Sequence, residues 1–443
     1  MEKLKFLVIG SGGREYIIVK ALSETSDVYA YMFHENPGIK KLSKDYVIGK
    51  SSSIESMVEY AKRVDPDIVV IGPENPLAAG VVDALEESGF PTVGPKRDAA
   101  KIEWDKSYAR DLMKKYNIPG SKLSISFNNP EDAKRFIDDY GKPVVVKPAG
   151  LTGGKGVRVV GVTLKDNEEA KKYVDEIFEK NIGGLRRVLI EERTDGEEFT
   201  LQAFVDGTHM SFMPLVQDHP HAFEDDQGPE TGGMGSYSMP DHKLPFLTDR
   251  DLEIAKKCME GIIKALKKEG VEYKGILYGQ FMVDATGPKL IEFNSRFGDP
   301  EAINVIPLLH DDLSRVFEQI VDRTLSTVVF RNEASVVKYI VPKGYPIEKT
   351  PGWLRVAEDI IKEFNAGIAY ASVIEKGSKL EMLGSRALAI YSTHPDIIKA
   401  ESFVENAIIY GVTGEGFRWR KDIGKLETIR KRIERMAKIR ERI

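Results

Sequence analysis

From Lys5 to Val93 the chain alternates short apolar runs with helical stretches, and this alternation constrains its first hundred or so residues to a parallel sheet covered by helices. Lys5–Ile9, Val28–Phe33, Tyr46–Ile48, Ile68–Ile71 and Pro91–Val93 read as strands. Arg14–Leu22, Ser53–Arg63 and Leu77–Glu87 read as the intervening helices. Parallel neighbours cannot be joined by tight turns, so each strand must be followed by a crossover, and helices supply it. In open sheets of this kind ligands lodge at the carboxyl ends of the strands. Two loops fall there, Gly10–Glu15 and Gly72–Leu77.

The pattern then changes. A helix over Asp105–Tyr116 stops at Ile118-Pro119. A small α/β unit runs on to about Arg193: helix Glu131–Tyr140, strand Val144–Lys147, loop Gly150–Gly156, strand Val157–Val162, helix Glu168–Lys180 and strand Val188–Glu191. A larger antiparallel region follows, whose clearest piece is a hairpin of Ile276–Val283 and Lys289–Phe293 turning over Asp284–Pro288. Beyond about residue 330 short strands dominate, at Ala334–Val341, Gly367–Val373 and Arg386–Ser392, before a charged C-terminal helix that reads as a solvated or docking element. At 443 residues, the length suggests about three domains of mixed α/β and α+β class.

Bulk properties narrow the function. Lys+Arg number 64 against 69 Asp+Glu, a formal net charge of −5, which argues against a general nucleic-acid or membrane-surface role. The one cysteine, Cys258, permits no intrachain disulfide and fits a reducing compartment. No apolar run approaches the roughly 18 residues of a membrane span, and the N-terminus lacks a leader pattern, so a cytoplasmic protein is expected.

Gly10-Ser11-Gly12-Gly13-Arg14-Glu15 follows a strand and opens a helix, where glycines admit an anion and backbone N–H groups point outward. A dinucleotide fingerprint needs a third glycine where Glu15 stands, which argues against a dehydrogenase. Lys147 ends a buried strand, and Lys155 sits in a second glycine-rich loop with Gly153 and Gly154. It is not a P-loop: Gly156 follows Lys155 where Ser or Thr is required. Two lysines flanking a flexible hairpin can still grip a polyphosphate. Glu191 and Glu198 flank the next turn, an arrangement able to meet a ring amino group and a ribose diol. A solvated acidic turn would look the same.

Glu292 and Asn294 are two apart on a strand and share one face, and Gln280 on the partner strand can face them. Three oxygen donors suit magnesium, which completes its shell with water and phosphate. Arg296 lies just beyond, placed to neutralise a transferring phosphoryl group. A polar hairpin edge would explain Glu292 and Asn294 alone. It does not explain them together with the glycine loop and the two lysines.

This set of motifs resembles the ATP-grasp ligases and, within them, the glycinamide ribonucleotide synthetases. The likeness is carried by Gly10–Glu15, Gly72-Pro73-Glu74-Asn75-Pro76-Leu77 with Ala79-Gly80, Lys155-Gly156, Gln217-Asp218-His219, Thr231-Gly232-Gly233-Met234-Gly235 and Ile291–Glu301. It spans nearly the whole chain. It implies a Rossmann-like N-terminal domain over 1–104, a two-lobed ATP-grasp domain over 105–330 with a lid lobe at about 120–193, and a small β-rich C-terminal domain over 331–443. It further implies ligation of glycine to 5-phosphoribosylamine at the expense of ATP, with Mg2+ or Mn2+, in purine biosynthesis. The implied intermediate is glycyl phosphate, and no nucleic-acid or membrane partner is implied; a monomer or small homo-oligomer is expected.

Carried over residue by residue, Lys106, Lys147 and Lys155 with Gly153 and Gly154 would grip ATP, Glu191 would meet adenine and Glu198 ribose. Gln280, Glu292 and Asn294 would hold the metal. Gly10, Gly12, Gly13, Arg14, Glu15, Gly72, Pro73, Glu74 and Leu77 would cradle phosphoribosylamine. Asp218, Arg296 and Asp299 would surround glycine and the acyl phosphate, with Gly232, Gly233, Met234 and Gly235 lining the same chamber; Lys155, Asp218 and Arg296 are the catalytic candidates. The chain departs from the family pattern at Tyr16, at Pro148-Ala149-Gly150, at Pro220-His221 and at Glu230, the third of which removes two basic residues near Asp218. The rivals are a sister ATP-grasp carboxylate–amine ligase and a nucleotide-binding regulator without activity.

Overall fold

A computed structural model describes residues 3–153 and 156–442. Its N-terminal sheet holds five parallel strands in the spatial order Asp45–Ile48, Asp27–Met32, Lys5–Ile9, Ile68–Ile71, Thr92–Val93. The order reverses at the first strand, so Ile9 and Ile71 end side by side and the loops after them share one crevice. The expected helix Leu77–Glu87 is two pieces, Glu74–Ala79 and Val81–Glu87, broken at Gly80, whose φ of 92° no regular helix accepts. A further helix, Arg97–Trp104, was not legible as a separate element and leads directly into Lys106–Lys115.

The second unit is a four-stranded antiparallel sheet ordered Ser124–Phe127, Val188–Glu192, Val144–Pro148, Arg158–Val159. Helices Pro130–Tyr140 and Asn167–Glu179 cover one face and bury a separate core of Ile137, Val144, Val146, Val174, Ile177 and Ile190. This small lobe therefore has its own hydrophobic support. The expected strand Val157–Val162 shrinks to Arg158–Val159, because the chain turns back at Gly161 and Leu164.

A second antiparallel sheet, ordered Met210–Phe212, Glu197–Asp206, Lys274–Asp284, Gly287–Asn294, forms the body. The twenty-residue helix Asp249–Lys268 packs behind it, started by a capping box between Thr248 and Asp251. The third large sheet runs Gln217–Asp218, Gly235–Ser238, Ala334–Pro342, Leu388–His394, Gly367–Tyr370. It joins strands from both sides of residue 330, so the backbone ladder crosses the expected boundary there. Ala334–Pro342 is buried along its whole length because sheet neighbours and the helix Ile397–Gly411 enclose it. The C-terminal region is rich in short strands as expected, with that helix packed beside them, and Gly367–Val373 splits into strands Gly367–Tyr370 and Val373–Lys376. Among the described residues no helix is long and apolar enough to cross a membrane.

Candidate active site

The three sheets and the lobe converge on one cavity of about 620 Å³. Arg14, Pro73 and Glu74 reach it from the parallel sheet, Lys106 and Lys147 from the lobe side, Gln280, Glu292 and Asn294 from the body hairpin, and Asp218, Arg296 and Asp299 from the loops between.

The hairpin register sets the oxygen donors. Gln280 lies opposite Glu292 and Tyr278 opposite Asn294, with a bulge just after Gln280. Asn294 Nδ2 donates to Glu292 Oε1 at 3.3 Å, and Gln280 Nε2 donates to Glu198 Oε2 at 2.8 Å. With that nitrogen committed, Gln280 presents its amide oxygen as the remaining donor. Among the described residues no three His, Cys, Asp or Glu side chains cluster as a metal cage. One carboxylate and two amides fit a hard divalent cation that brings phosphate oxygens and water with it.

Lys106 is the first residue of its helix because Asp105 caps it, accepting from the N–H groups of Ser107 and Tyr108. Its ammonium donates to Gly150 O at 2.9 Å, and burial pulls its pKa below the usual lysine range. Lys147 donates to Ile291 O at 3.2 Å and pairs with Glu191 at 3.0 Å. Glu191 also takes Arg110 and Lys122, each at 2.7 Å, and does not line the cavity. The expectation that Glu191 meets a ring amino group is therefore corrected. Its carboxylate is the shared counter-ion of three cations; burial opposes its charge, but these cations outweigh it and hold the pKa well below the usual range. Gly153 lines the cavity, while Gly154 and Lys155 lie outside the described residues.

The N-terminal loop departs from the expected anion cradle. Glu15 folds back so that Gly12 N–H donates to its Oε2 at 2.6 Å, and Arg14 Nε pairs with its Oε1 at 2.5 Å. A Cβ at Gly10 or Gly72 would strike the Glu15 side chain, and one at Gly13 would strike the Tyr339 hydroxyl. These glycines make room for protein atoms, and Glu15 itself is buried, which leaves Arg14 as the loop's side chain facing the cavity. Leu77 is a second correction: it packs in the N-terminal core between helix and sheet and offers no side chain to a ligand.

Arg296 lies 3.4 Å from Glu74 and 3.3 Å from Glu103. Burial weighs against both carboxylates. Arg296 and Arg14 overcome it at Glu74, whose pKa is lowered, whereas Glu103 is pushed up to about 7. Asp218 is raised well above the carboxylate range by burial and by neighbouring Glu301, and its Oδ1 has no hydrogen-bond partner among the described residues. Gly233, with φ of 105°, passes so close that a Cβ there would meet that carboxylate. Asp299 accepts from Tyr339 Oη at 2.6 Å. Gly232 lines the cavity, but Met234 is fully buried in the main core and Gly235 starts a strand against Val337, so these two support the chamber rather than line it.

Glu198 does line the cavity; burial, with Glu230 close by, raises it to about 7. Five contributors were missed from sequence. Lys122 lines the cavity, its pKa lowered to about 8 by burial. Glu103 lay in the overlooked helix. Arg386 donates to the carbonyls of Gly233 at 3.1 Å and Asp299 at 2.6 Å, pinning two cavity loops together. Arg432 and Arg435 enter from the C-terminal helix. Lys122 lies two residues before the strand Ser124–Phe127, whose Ser124 pairs with Glu191, and its spacing from that strand could have served as a signal. For the arginines nothing local marks them.

The phosphoribosylglycinamide synthetase N-domain family matches residues 4–103, and its ATP-grasp (A) domain family matches residues 104–302. The chain is 50% identical over 447 aligned residues to the phosphoribosylamine–glycine ligase of Methanopyrus kandleri, covering 99% of each. To that of Methanocaldococcus jannaschii it is 52% identical over 446, covering 99% of this chain and all of the relative. The crystal structure of phosphoribosylamine–glycine ligase from Thermotoga maritima superposes with a TM-score of 0.81 at 27% identity, covering 95% of this chain and 100% of that one. The biotin carboxylase domain of Hydrogenobacter thermophilus 2-oxoglutarate carboxylase shares the fold, with a TM-score of 0.74 at 17% identity over 99% of this chain and 94% of that one. With family matches over both the parallel-sheet unit and the body, and full-length relatives at about half identity, the chain belongs to the phosphoribosylamine–glycine ligase family of ATP-grasp enzymes.

Proposed function

We propose that this protein joins glycine to 5-phosphoribosylamine with ATP, releasing ADP and phosphate. The observation that carries the reading is the single cavity in which strand-end loops of the parallel sheet, the Gln280–Glu292–Asn294 donors, the two buried lysines and the Asp218–Arg296–Asp299 group all meet. No protein nucleophile is required. A glycine carboxylate oxygen attacks the γ-phosphorus, the bond to the β-phosphate oxygen breaks, and glycyl phosphate and ADP result. The phosphoribosylamine nitrogen then attacks the acyl carbon, loses a proton, and phosphate departs. Catalysis is positioning and charge neutralisation.

In this reading Lys106, Lys147 and Lys155 hold the nucleotide's phosphates, and Glu198 takes the ribose. Gln280, Glu292 and Asn294 would hold Mg2+ or Mn2+, which supplies charge neutralisation between phosphate oxygens when bound. Arg14, Pro73 and Glu74, with Gly12 behind them, receive phosphoribosylamine at the switch point of the parallel sheet. Asp218 and the buried Glu301 bring two carboxylates into one corner. The glycine ammonium suits that corner, because its charge relieves their mutual repulsion. Arg296 then faces the developing acyl phosphate. A panel of glycine, alanine, formate and bicarbonate, each with ATP and phosphoribosylamine, tests the assignment by ADP release: glycine should dominate, and preference for another acid would refute it.

A further inference from the structure

The C-terminal helix Leu426–Arg440 is seated by Ile429, Met436 and Ile439, which are buried on one stripe. Its polar edge faces the cavity. Arg435 holds Glu197 Oε1 at 2.9 Å and Asp195 Oδ1 at 2.7 Å. Arg432 holds Glu197 Oε2 at 3.1 Å and also grips Asp226. Glu197 is 1% exposed and Arg432 15%, so their pair is shielded from water, whereas Arg435 and Asp195 are each 46% exposed and their pair is screened.

The partners are placed where they matter. Asp195 and Glu197 form the turn between the lobe strand Val188–Glu192 and the body strand Glu197–Asp206. That turn is one of the two chain hinges between the lobe and the body, the other lying between Lys115 and Ser124. The next residue, Glu198, faces inward and accepts from Gln280. Asp226 sits in the tip of the hairpin His221–Phe223 and Gln227–Glu230, whose His221 and Glu230 line the cavity opposite. One guanidinium, Arg432, thus ties the hinge to the hairpin.

We infer that the C-terminal helix is a wall of the nucleotide half of the site, with Arg432 and Arg435 as positioning residues that act through Glu197, Asp195 and Asp226 on the presentation of Glu198 and the hinge. The inference rests on the nucleotide assignment proposed above. It separates two classes of effect: nucleotide affinity depends on these arginines, while the phosphoribosylamine subsite, built from the strand-end loops of the parallel sheet, does not.

The test uses the full-length protein with Mg2+. Calorimetric titration with ATP in the absence of glycine gives Kd, and steady-state assays give KM for all three substrates. Loss of charge-assisted bonds at a hinge should raise the ATP Kd of Arg432→Met/Arg435→Met by about tenfold, with KM for phosphoribosylamine held within about twofold. Glu197→Gln should weaken ATP similarly, and adding it to the double variant should do no further harm, because all three changes break one linkage. If the double variant does not fold, Arg432→Lys, which keeps the charge and loses the two-carboxylate bridge, should show a smaller loss in the same parameter. An unchanged ATP Kd, equal losses for all three substrates, or additive losses would overturn the inference. Failure of the wild-type protein to bind ATP would instead refute the nucleotide assignment.

Discussion

Glu292 is the one full carboxylate among the three proposed metal donors, and its neighbours Gln280 and Asn294 contribute only amide oxygens. Glu292→Ala should therefore cut kcat by about a hundredfold or more while thermal unfolding stays within about 2 °C of wild type, since the side chain is half-buried and carries no core packing. Activity close to wild type would remove the metal assignment. Glu103 gives a pH prediction. Burial raises its carboxyl from 4.5 to about 7 in the folded protein. Between those values the folded state binds the extra proton, so this group's contribution to stability falls as pH rises from about 4.5 to about 7 and stays lost above. Urea unfolding of ligand-free Glu103→Gln should thus gain on wild type between about pH 5 and about pH 8; parallel curves would contradict it. The placing of Glu292 and Asn294 on one face was legible because strand periodicity alone gives it. Leu77, Met234 and Glu191 were misjudged because membership of a motif does not say whether a side chain points to the ligand or to the protein behind it. Glu15 shows the same ambiguity: its loop looks like an anion cradle until its own carboxylate is seen filling it.

At the scale of elements, Lys338 illustrates how the C-terminal region holds the chamber. It is fully buried on the strand Ala334–Pro342 and pairs with Glu401 and Glu405 on the helix Ile397–Gly411, at 2.6 and 2.7 Å. Lys338→Met leaves two poorly hydrated carboxylates facing each other and should cost about 3 kcal/mol in chemical denaturation. A loss below about 0.5 kcal/mol would mean that the helix is held by its apolar face alone. The alternation of the first hundred residues and the hairpin over residues 284–288 were readable because both obey a local period. The helix Asp249–Lys268 was passed over although Thr248 and Asp251 spell a capping box and its apolar residues recur at helical spacing. The break at Gly80 and the short return of the lobe at Arg158–Val159 are set by single turns, at a positive φ and at a tight reversal over residues 159–164, and a periodicity of apolar residues does not record a turn.

For the whole molecule, the three sheets matter less for their separate identities than for the way their ends meet. The parallel sheet delivers Arg14 and Glu74, the lobe delivers Lys147, the body delivers Gln280, Glu292 and Asn294, and the sheet spanning residue 330 delivers Asp218 and, through Arg386, ties the chamber to the C-terminal region. Motif order along the chain pointed to an ATP-grasp enzyme but did not give this convergence. It also did not give the return of the C-terminal helix, because Arg432 and Asp226 are 206 residues apart. The central claim is that one cavity couples ATP cleavage to amide formation between glycine and phosphoribosylamine. The most direct test is to follow ADP and glycinamide ribonucleotide together in one reaction. The two should accumulate one for one, and steady-state turnover should stop when either glycine or phosphoribosylamine is left out. Continuous ADP release without phosphoribosylamine, or ADP release with no ligated product, would contradict it.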